Sequence, residues 1–125
     1  MKAKRRVIIL DDEAIVCERL KAALEKSGFY VETYEQSQQV IDRIREHKFD
    51  VLVTDLKMRK PDGLEVMSFV KEHSPSTKVI IVTGFATVET ATKALKGGAV
   101  DFIAKPFKIS RLRDLIIKIT SGQDE

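Results

Sequence analysis

A three-layer α/β/α sandwich follows from two features of the sequence. Five short runs rich in β-branched residues recur along the chain, and the stretches between them repeat their apolar residues at helical spacing. Strands that are apolar on both faces belong to a parallel sheet covered by helices on each side, joined by right-handed crossovers. No internal repeat, low-complexity segment or linker interrupts the alternation.

The first predicted strand covers 6–10, where RVIIL precedes two aspartates. Val16, Leu20, Ala23 and Leu24 form the stripe of the first helix, which Gly28 ends as the left-handed residue after its last turn. The second strand covers 29–34, and Val40, Ile41 and Ile44 give the second stripe, with Ser37 as its expected N-cap. A third strand at 51–54 precedes a helix bearing Leu64, Met67 and Val70, limited by Pro75. The fourth strand covers 78–82, and its helix runs from about 87 to 96 before Gly97-Gly98. The fifth, 101–104, leads to a helix carrying Leu112, Leu115, Ile116 and Ile119. One domain is expected over 1–121, with 122–125 as a frayed tail. The pattern does not fix the strand order.

A chain of 125 residues with 43% hydrophobic residues makes one core. No apolar stretch is long enough to span a bilayer, and basic Lys2, Lys4, Arg5 and Arg6 lead into a run too short for a secretory signal. A soluble cytoplasmic protein with no membrane partner is expected. Cys17 is the single cysteine, so an intramolecular disulfide and a cysteine metal cluster are excluded; beside Val16 and Leu20 it reads as a packed, reduced thiol. A net charge of +3, from 22 basic and 19 acidic residues, makes no case for direct nucleic-acid binding.

Function is legible at the ends of the apolar runs. Asp11 and Asp12 follow VIIL, Asp55 follows VLVT, Thr83 closes VIIVT and Lys105 follows DFIA. Parallel strands bring those ends to one edge, where open α/β sheets place their chemistry. Clustered carboxylates repel one another unless a cation neutralises them, and hard oxygen donors suit Mg2+. A carboxylate can also act as a nucleophile toward phosphorus, and Asp55, alone at its strand end, is the candidate. Lys105 and Thr83 would then neutralise phosphoryl oxygens.

The stretches VIILDDE, VLVTDLKM, PDGLEVM, VIIVTGFATVETA and GAVDFIAKPF, in this order across nearly the whole chain, resemble the receiver domains of two-component response regulators. The segment TGFATVETATKALKGGAVDFIAKPF is most similar to receivers of NtrC-like enhancer-binding activators. The resemblance implies a flavodoxin-like (βα)5 fold with sheet order 2-1-3-4-5. It implies Asp55 as phosphoacceptor, Asp12 as a direct Mg2+ ligand, Asp11 as its partner through water, and the backbone carbonyl of Lys57 as a further ligand. Thr83 and Lys105 would hold the phosphoryl group, Phe102 would be the aromatic switch, and the Lys105-Pro106 peptide would be cis. Lys57 and Phe85 occupy positions where the family tunes the lifetime of the phosphorylated state.

Two departures from the family pattern stand out. Arg59 occupies the place of a usual proline, which appears instead at Pro61, so the loop Lys57-Met58-Arg59-Lys60 is basic with a different local turn. Phe102 replaces the more frequent tyrosine and lacks its hydroxyl.

What the resemblance implies is a switch that a histidine kinase or phosphotransfer protein phosphorylates on Asp55 and that catalyses only its own phosphorylation and dephosphorylation. Thr83 would move toward the phosphate and Phe102 turn inward, with the mobile region bracketed by Gly84, Gly97 and Gly98. Output would use the surface of the fourth helix, fifth strand and fifth helix, with Lys93, Lys96, Asp101, Arg111, Arg113 and Asp114 as contacts and a homodimer as one form. Kinase docking would involve Ile15, Val16, Pro106 and Phe107. An effector domain or protein would lie outside this chain, whether it is a stand-alone receiver or part of a longer regulator. His47 and His73, near helix C-termini, need no catalytic role.

Other classes compete. A small Mg2+-dependent phosphohydrolase using an aspartyl phosphate typically carries Asp-x-Asp after its first strand, whereas here the aspartates are adjacent and the candidate nucleophile follows the third. A flavin-binding module would place its phosphate loop after the first strand, and a scaffold that is never phosphorylated would not need Asp12, Asp55, Thr83 and Lys105 together.

Overall fold

The computed structural model describes residues 4–122. Five parallel strands, β1 (Arg6–Leu10), β2 (Tyr30–Tyr34), β3 (Val51–Asp55), β4 (Lys78–Thr83) and β5 (Asp101–Ala104), lie in the order β2-β1-β3-β4-β5. Five helices alternate with them: α1 (Ala14–Lys26), α2 (Ser37–Glu46), α3 (Gly63–His73), α4 (Val88–Lys96) and α5 (Ile109–Ser121). Among the described residues no helix is long and apolar enough to cross a membrane.

Period-two alternation sorts the strand residues onto two cores. Ile8, Leu10, Leu52, Val79 and Ile81 face α2, α3 and α4, meeting Val40, Ile44, Val66, Met67, Val70 and Ala94. Val7, Ile9, Val53, Ile80, Val82 and Ile103 face α1 and α5, meeting Leu20, Leu24, Leu112 and Ile116. The central strands β1, β3 and β4 are buried almost throughout, as a sheet covered on both faces requires.

The predicted elements are present, with boundary shifts that have local causes. β2 begins at Tyr30 because the Phe29 N–H bonds back to the Leu24 carbonyl and finishes α1 instead. β3 and β4 each run one residue further than the apolar pattern, since Asp55 still pairs with Val82 and Thr83 with Ala104. Ser37 is not the N-cap of α2: Gln36 holds that position in extended conformation, without a side-chain cap, and Ser37 opens the helix with its hydroxyl buried. Gly28, at φ +92°, adopts the left-handed conformation expected of it. Gly122 caps α5, and the rest of the expected frayed tail, 123–125, lies outside the described residues.

Candidate functional site

Because every strand is parallel, the C-terminal ends of β1, β3, β4 and β5 open on one edge. Asp55 closes β3 and is 7% exposed, Asp11 follows β1 at 1%, and Asp12 sits exposed at the rim. The two buried acids are held by backbone donors: the Glu13 N–H donates to Asp11 Oδ1 at 2.8 Å, and the Lys57 N–H to Asp55 Oδ1 at 3.2 Å. Gly63 explains how α3 starts so close to this edge. A Cβ on it would collide with the Asp55 carbonyl oxygen, while Asp62 and Glu65 close a capping box around the helix start.

Lys105 follows β5 and points its ammonium into the acids. Nζ lies 2.9 Å from Asp55 Oδ2, 2.8 Å from Asp11 Oδ2 and 2.6 Å from Glu13 Oε1. Burial alone would lower the Lys105 pKa, but the three carboxylates more than reverse this and hold it above the ordinary lysine value. Burial raises the Asp11 pKa, against the lowering by Lys105 and the Glu13 N–H. Asp11 Oδ2 is an ion-pair partner of Lys105 yet lacks an aligned hydrogen bond, which leaves a buried oxygen with unused capacity.

Carboxylate oxygens of Asp11, Asp12, Glu13 and Asp55 all lie within 4.8 Å of one another. Among the described residues, these four acids face one ammonium, that of Lys105, which leaves three negative charges uncompensated when all are ionised. An all-oxygen donor set of this charge, with one buried oxygen under-satisfied, fits Mg2+, which takes one or two carboxylates and keeps several waters.

Thr83 is fully buried, and its Oγ1 accepts the Phe85 N–H at 3.1 Å, while its carbonyl accepts the Lys105 N–H at 2.8 Å. Phe102 is half-buried on β5 and packs against the core under α3 and α4. The Lys57 side chain leaves the acids and places Nζ 5.4 Å from the centre of the exposed Phe85 ring. The Lys105–Pro106 peptide is cis, and so is Lys60–Pro61 in the basic loop. Lys60 pairs with Glu65 at 2.9 Å, across the start of α3 rather than toward the acids.

A cleft of about 660 Å³ opens over Asp55 and Lys105, with Ile15, Val16, Pro106 and Phe107 on its walls. On the other side, Lys96 and Arg111 are exposed and Lys93 pairs with Glu89 at 3.3 Å. Arg113 pairs with neighbouring Asp114 at 2.9 Å, and the half-buried Asp101 carboxylate accepts the Phe102 N–H. His47 caps α2 and His73 ends α3 with its ring 4.2 Å from that of Phe69, both remote from the acids in the fold. Cys17 is buried, its Sγ 3.5 Å from the Asp11 carbonyl oxygen. The residue that motif reading missed is Glu13, whose partner Lys105 lies 92 positions away. Only its adjacency to Asp11-Asp12 could have drawn attention to it.

Residues 7–117 match the model of the response regulator receiver domain. The chain belongs to that family. It is 34% identical over 107 residues to the transcriptional regulatory protein ZraR of Klebsiella oxytoca, covering 86% of this chain and 24% of ZraR. Against FixJ of Bradyrhizobium diazoefficiens it is 33% identical over 116 residues, covering 93% of this chain and 57% of FixJ. This receiver therefore spans about a quarter of ZraR and just over half of FixJ. Among solved structures, the beryllofluoride-activated NtrC4 receiver domain dimer is 38% identical with a TM-score of 0.87, covering 96% of this chain and 98% of that one. A CheY-like receiver from Methanospirillum hungatei reaches 0.92 at 27% identity and covers 98% of both chains. Membership makes the receiver a phosphorylation-activated signalling switch, and the phosphohydrolase reading is not favoured.

Proposed function

We propose that Asp55 accepts a phosphoryl group from the phosphohistidine of a sensor histidine kinase or phosphotransfer protein, in a reaction that requires Mg2+. The observation that carries this reading is the Lys105 ammonium 2.9 Å from Asp55 Oδ2, at the floor of a cleft open to an incoming group. A carboxylate oxygen of Asp55 attacks phosphorus, the phosphorus–nitrogen bond of the donor breaks, and the departing imidazole takes up a proton. The product is an acyl phosphate on Asp55. Asp11, Asp12, Asp55 and the Lys57 carbonyl are the proposed holders of Mg2+, which when bound supplies positive charge to the phosphoryl oxygens. Lys105, already in contact with Asp55, supplies a second positive charge.

The Thr83 hydroxyl exchanges its bond from the Phe85 N–H for one to a phosphoryl oxygen. That displacement frees space for Phe102, whose half-buried ring turns further inward, and α4 shifts with the loop after β4. α4 suits this role because Ala94 is its single fully buried residue, so little packing opposes its movement. The changed surface is α4-β5-α5, where Lys93, Lys96, Asp101, Arg111, Arg113 and Asp114 meet a second copy or an effector. Kinase docking uses the cleft wall of Ile15, Val16, Pro106 and Phe107.

Intact-mass measurement after incubation with acetyl phosphate tests the reading. The expected result is one added phosphoryl group in the presence of Mg2+, none after chelation with EDTA, and none in Asp55→Asn. Equal uptake by Asp55→Asn, or sustained hydrolysis of many phosphate esters, would overturn it.

A further inference from the structure

Glu13 is the part of the site that the proposed chemistry does not use. It stands at the N-cap of α1, yet its side chain makes no cap hydrogen bond. Instead Oε1 reaches Lys105 Nζ at 2.6 Å, the shortest of the three carboxylate contacts to that ammonium. Its backbone is fixed on both sides: the N–H donates to Asp11 Oδ1, and the carbonyl accepts from the Val16 and Cys17 N–H groups. The side chain is 53% exposed and so free to swing, whereas Lys105 is 13% exposed and anchored. The contact is thus between a fixed cation and a releasable arm.

We propose that Glu13 is a positioning residue that competes with the phosphoryl group for Lys105. This rests on the reading of Asp55 as phosphoacceptor and extends it. An ammonium has three donors, and Asp11, Asp55 and Glu13 occupy its surroundings in this structure. A phosphoryl group on Asp55 needs Lys105 as a charge partner, and the contact with the most exposed and least constrained acid is the one that gives way. Glu13 therefore steadies the unmodified state and lowers the affinity of the site for the phosphoryl group. Its carboxylate also adds negative charge to the rim that an anionic phosphodonor must cross.

Two measurements on the whole chain test this. In protein without metal or phosphoryl analogue, the rate of Lys105 acetylation by acetic anhydride, read by peptide mass spectrometry, is expected to rise in Glu13→Gln and in Glu13→Asp, whose shorter arm keeps the charge but loses the reach. At saturating Mg2+, beryllofluoride titrations followed through the Thr83 and Gly84 amide resonances are expected to show about two- to fivefold tighter binding in both variants, the scale of one partly exposed ion pair. In a Lys105→Gln background the gain from Glu13→Gln should vanish. Unchanged or weaker beryllofluoride binding in both variants overturns the proposal. So does tightening in Glu13→Gln with Glu13→Asp at the wild-type value, or the same gain without Lys105, because either result assigns the effect to charge alone. A wild-type chain that binds no beryllofluoride overturns the phosphoacceptor reading together with this one, whereas unchanged affinity in a chain that does bind it removes only the role of Glu13.

Discussion

At the scale of single residues, burial and charge act on neighbours beneath the site in ways that can be measured. Burial, reinforced by the charge of Asp11, pushes the Cys17 thiol up to about 11. Since only the thiolate reacts, alkylation of Cys17 by iodoacetamide at pH 8 is expected to be at least about 100-fold slower in the folded chain than in urea, followed by intact mass. Comparable rates would show that the thiol is not packed. Gly63 gives a second case. The Cβ of Gly63→Ala would collide with the Asp55 carbonyl oxygen, so the variant is expected to lose about 1–3 kcal/mol in urea denaturation and to displace the C-terminal end of β3. The convergence of Asp11, Asp12, Asp55, Thr83 and Lys105 was legible because each closes an apolar run or lies within two positions of its end, and the fold turns that local property into a shared location. Glu13 was not, because its role depends on a lysine on the far side of the sequence, and an exposed glutamate at a helix start has an ordinary explanation in the helix dipole.

Elements differ in what secures them. α2 is pinned to the edge strand β2 by Arg43, whose Nε and a terminal nitrogen donate to the two Glu32 oxygens at 2.8 and 2.7 Å, while Tyr30 and Tyr34 donate to the same carboxylate at 2.6 Å each. The Arg43 hydrogen bonds, aided by both tyrosines against some desolvation, lower the Glu32 pKa from 4.5 to about 2. A carboxylate with a depressed folded pKa contributes stability that is full above its ordinary value and is lost as pH falls toward the folded one. Glu32→Gln is therefore expected to lose about 1–2 kcal/mol at pH 7, with the gap to wild type closing between pH 4.5 and 2 when urea midpoints are compared. A constant gap across that range would mean that packing, not charge, holds α2. α4 relies on its cap instead. Thr87 and Thr90 exchange side-chain and backbone bonds in a capping box, so Thr87→Ala is expected to cost about 1 kcal/mol and to speed amide exchange in α4 before other helices. Periodicity revealed which elements exist because each buries one stripe or both strand faces. It missed the Gln36 cap and the last residues of β3 and β4, because caps and strand ends depend on backbone pairing that carries no apolar signature.

Across the whole molecule, the site comes from topology: the ends of four strands, β1, β3, β4 and β5, meet because parallel crossovers carry every strand end to one edge. The layer architecture was readable from the alternation of patterns, whereas the order β2-β1-β3-β4-β5 came only through family resemblance, since buried strands of similar composition do not specify their neighbours. The order matters because it sets β1, β3 and β4 side by side and brings β5 next to β4, so that Lys105 can reach across to Asp55 and Asp11. The same convergence gathers four acids around one ammonium, a repulsion that the unfolded chain does not suffer. A divalent ion that binds the folded site relieves it and should be coupled to global stability. At ten times its dissociation constant, Mg2+ is expected to stabilise the fold by about 1.4 kcal/mol, read as a rise in the urea midpoint with unchanged slope. NaCl at matched ionic strength should give a smaller rise, because screening weakens repulsion without occupying the site. Asp12→Asn and Asp55→Asn should each lose most of the Mg2+-specific increment while still folding, since both remove charge from a crowded edge. If both variants respond to Mg2+ as the wild type does, the ion acts elsewhere on the surface, and the acidic edge does not link metal binding to folding.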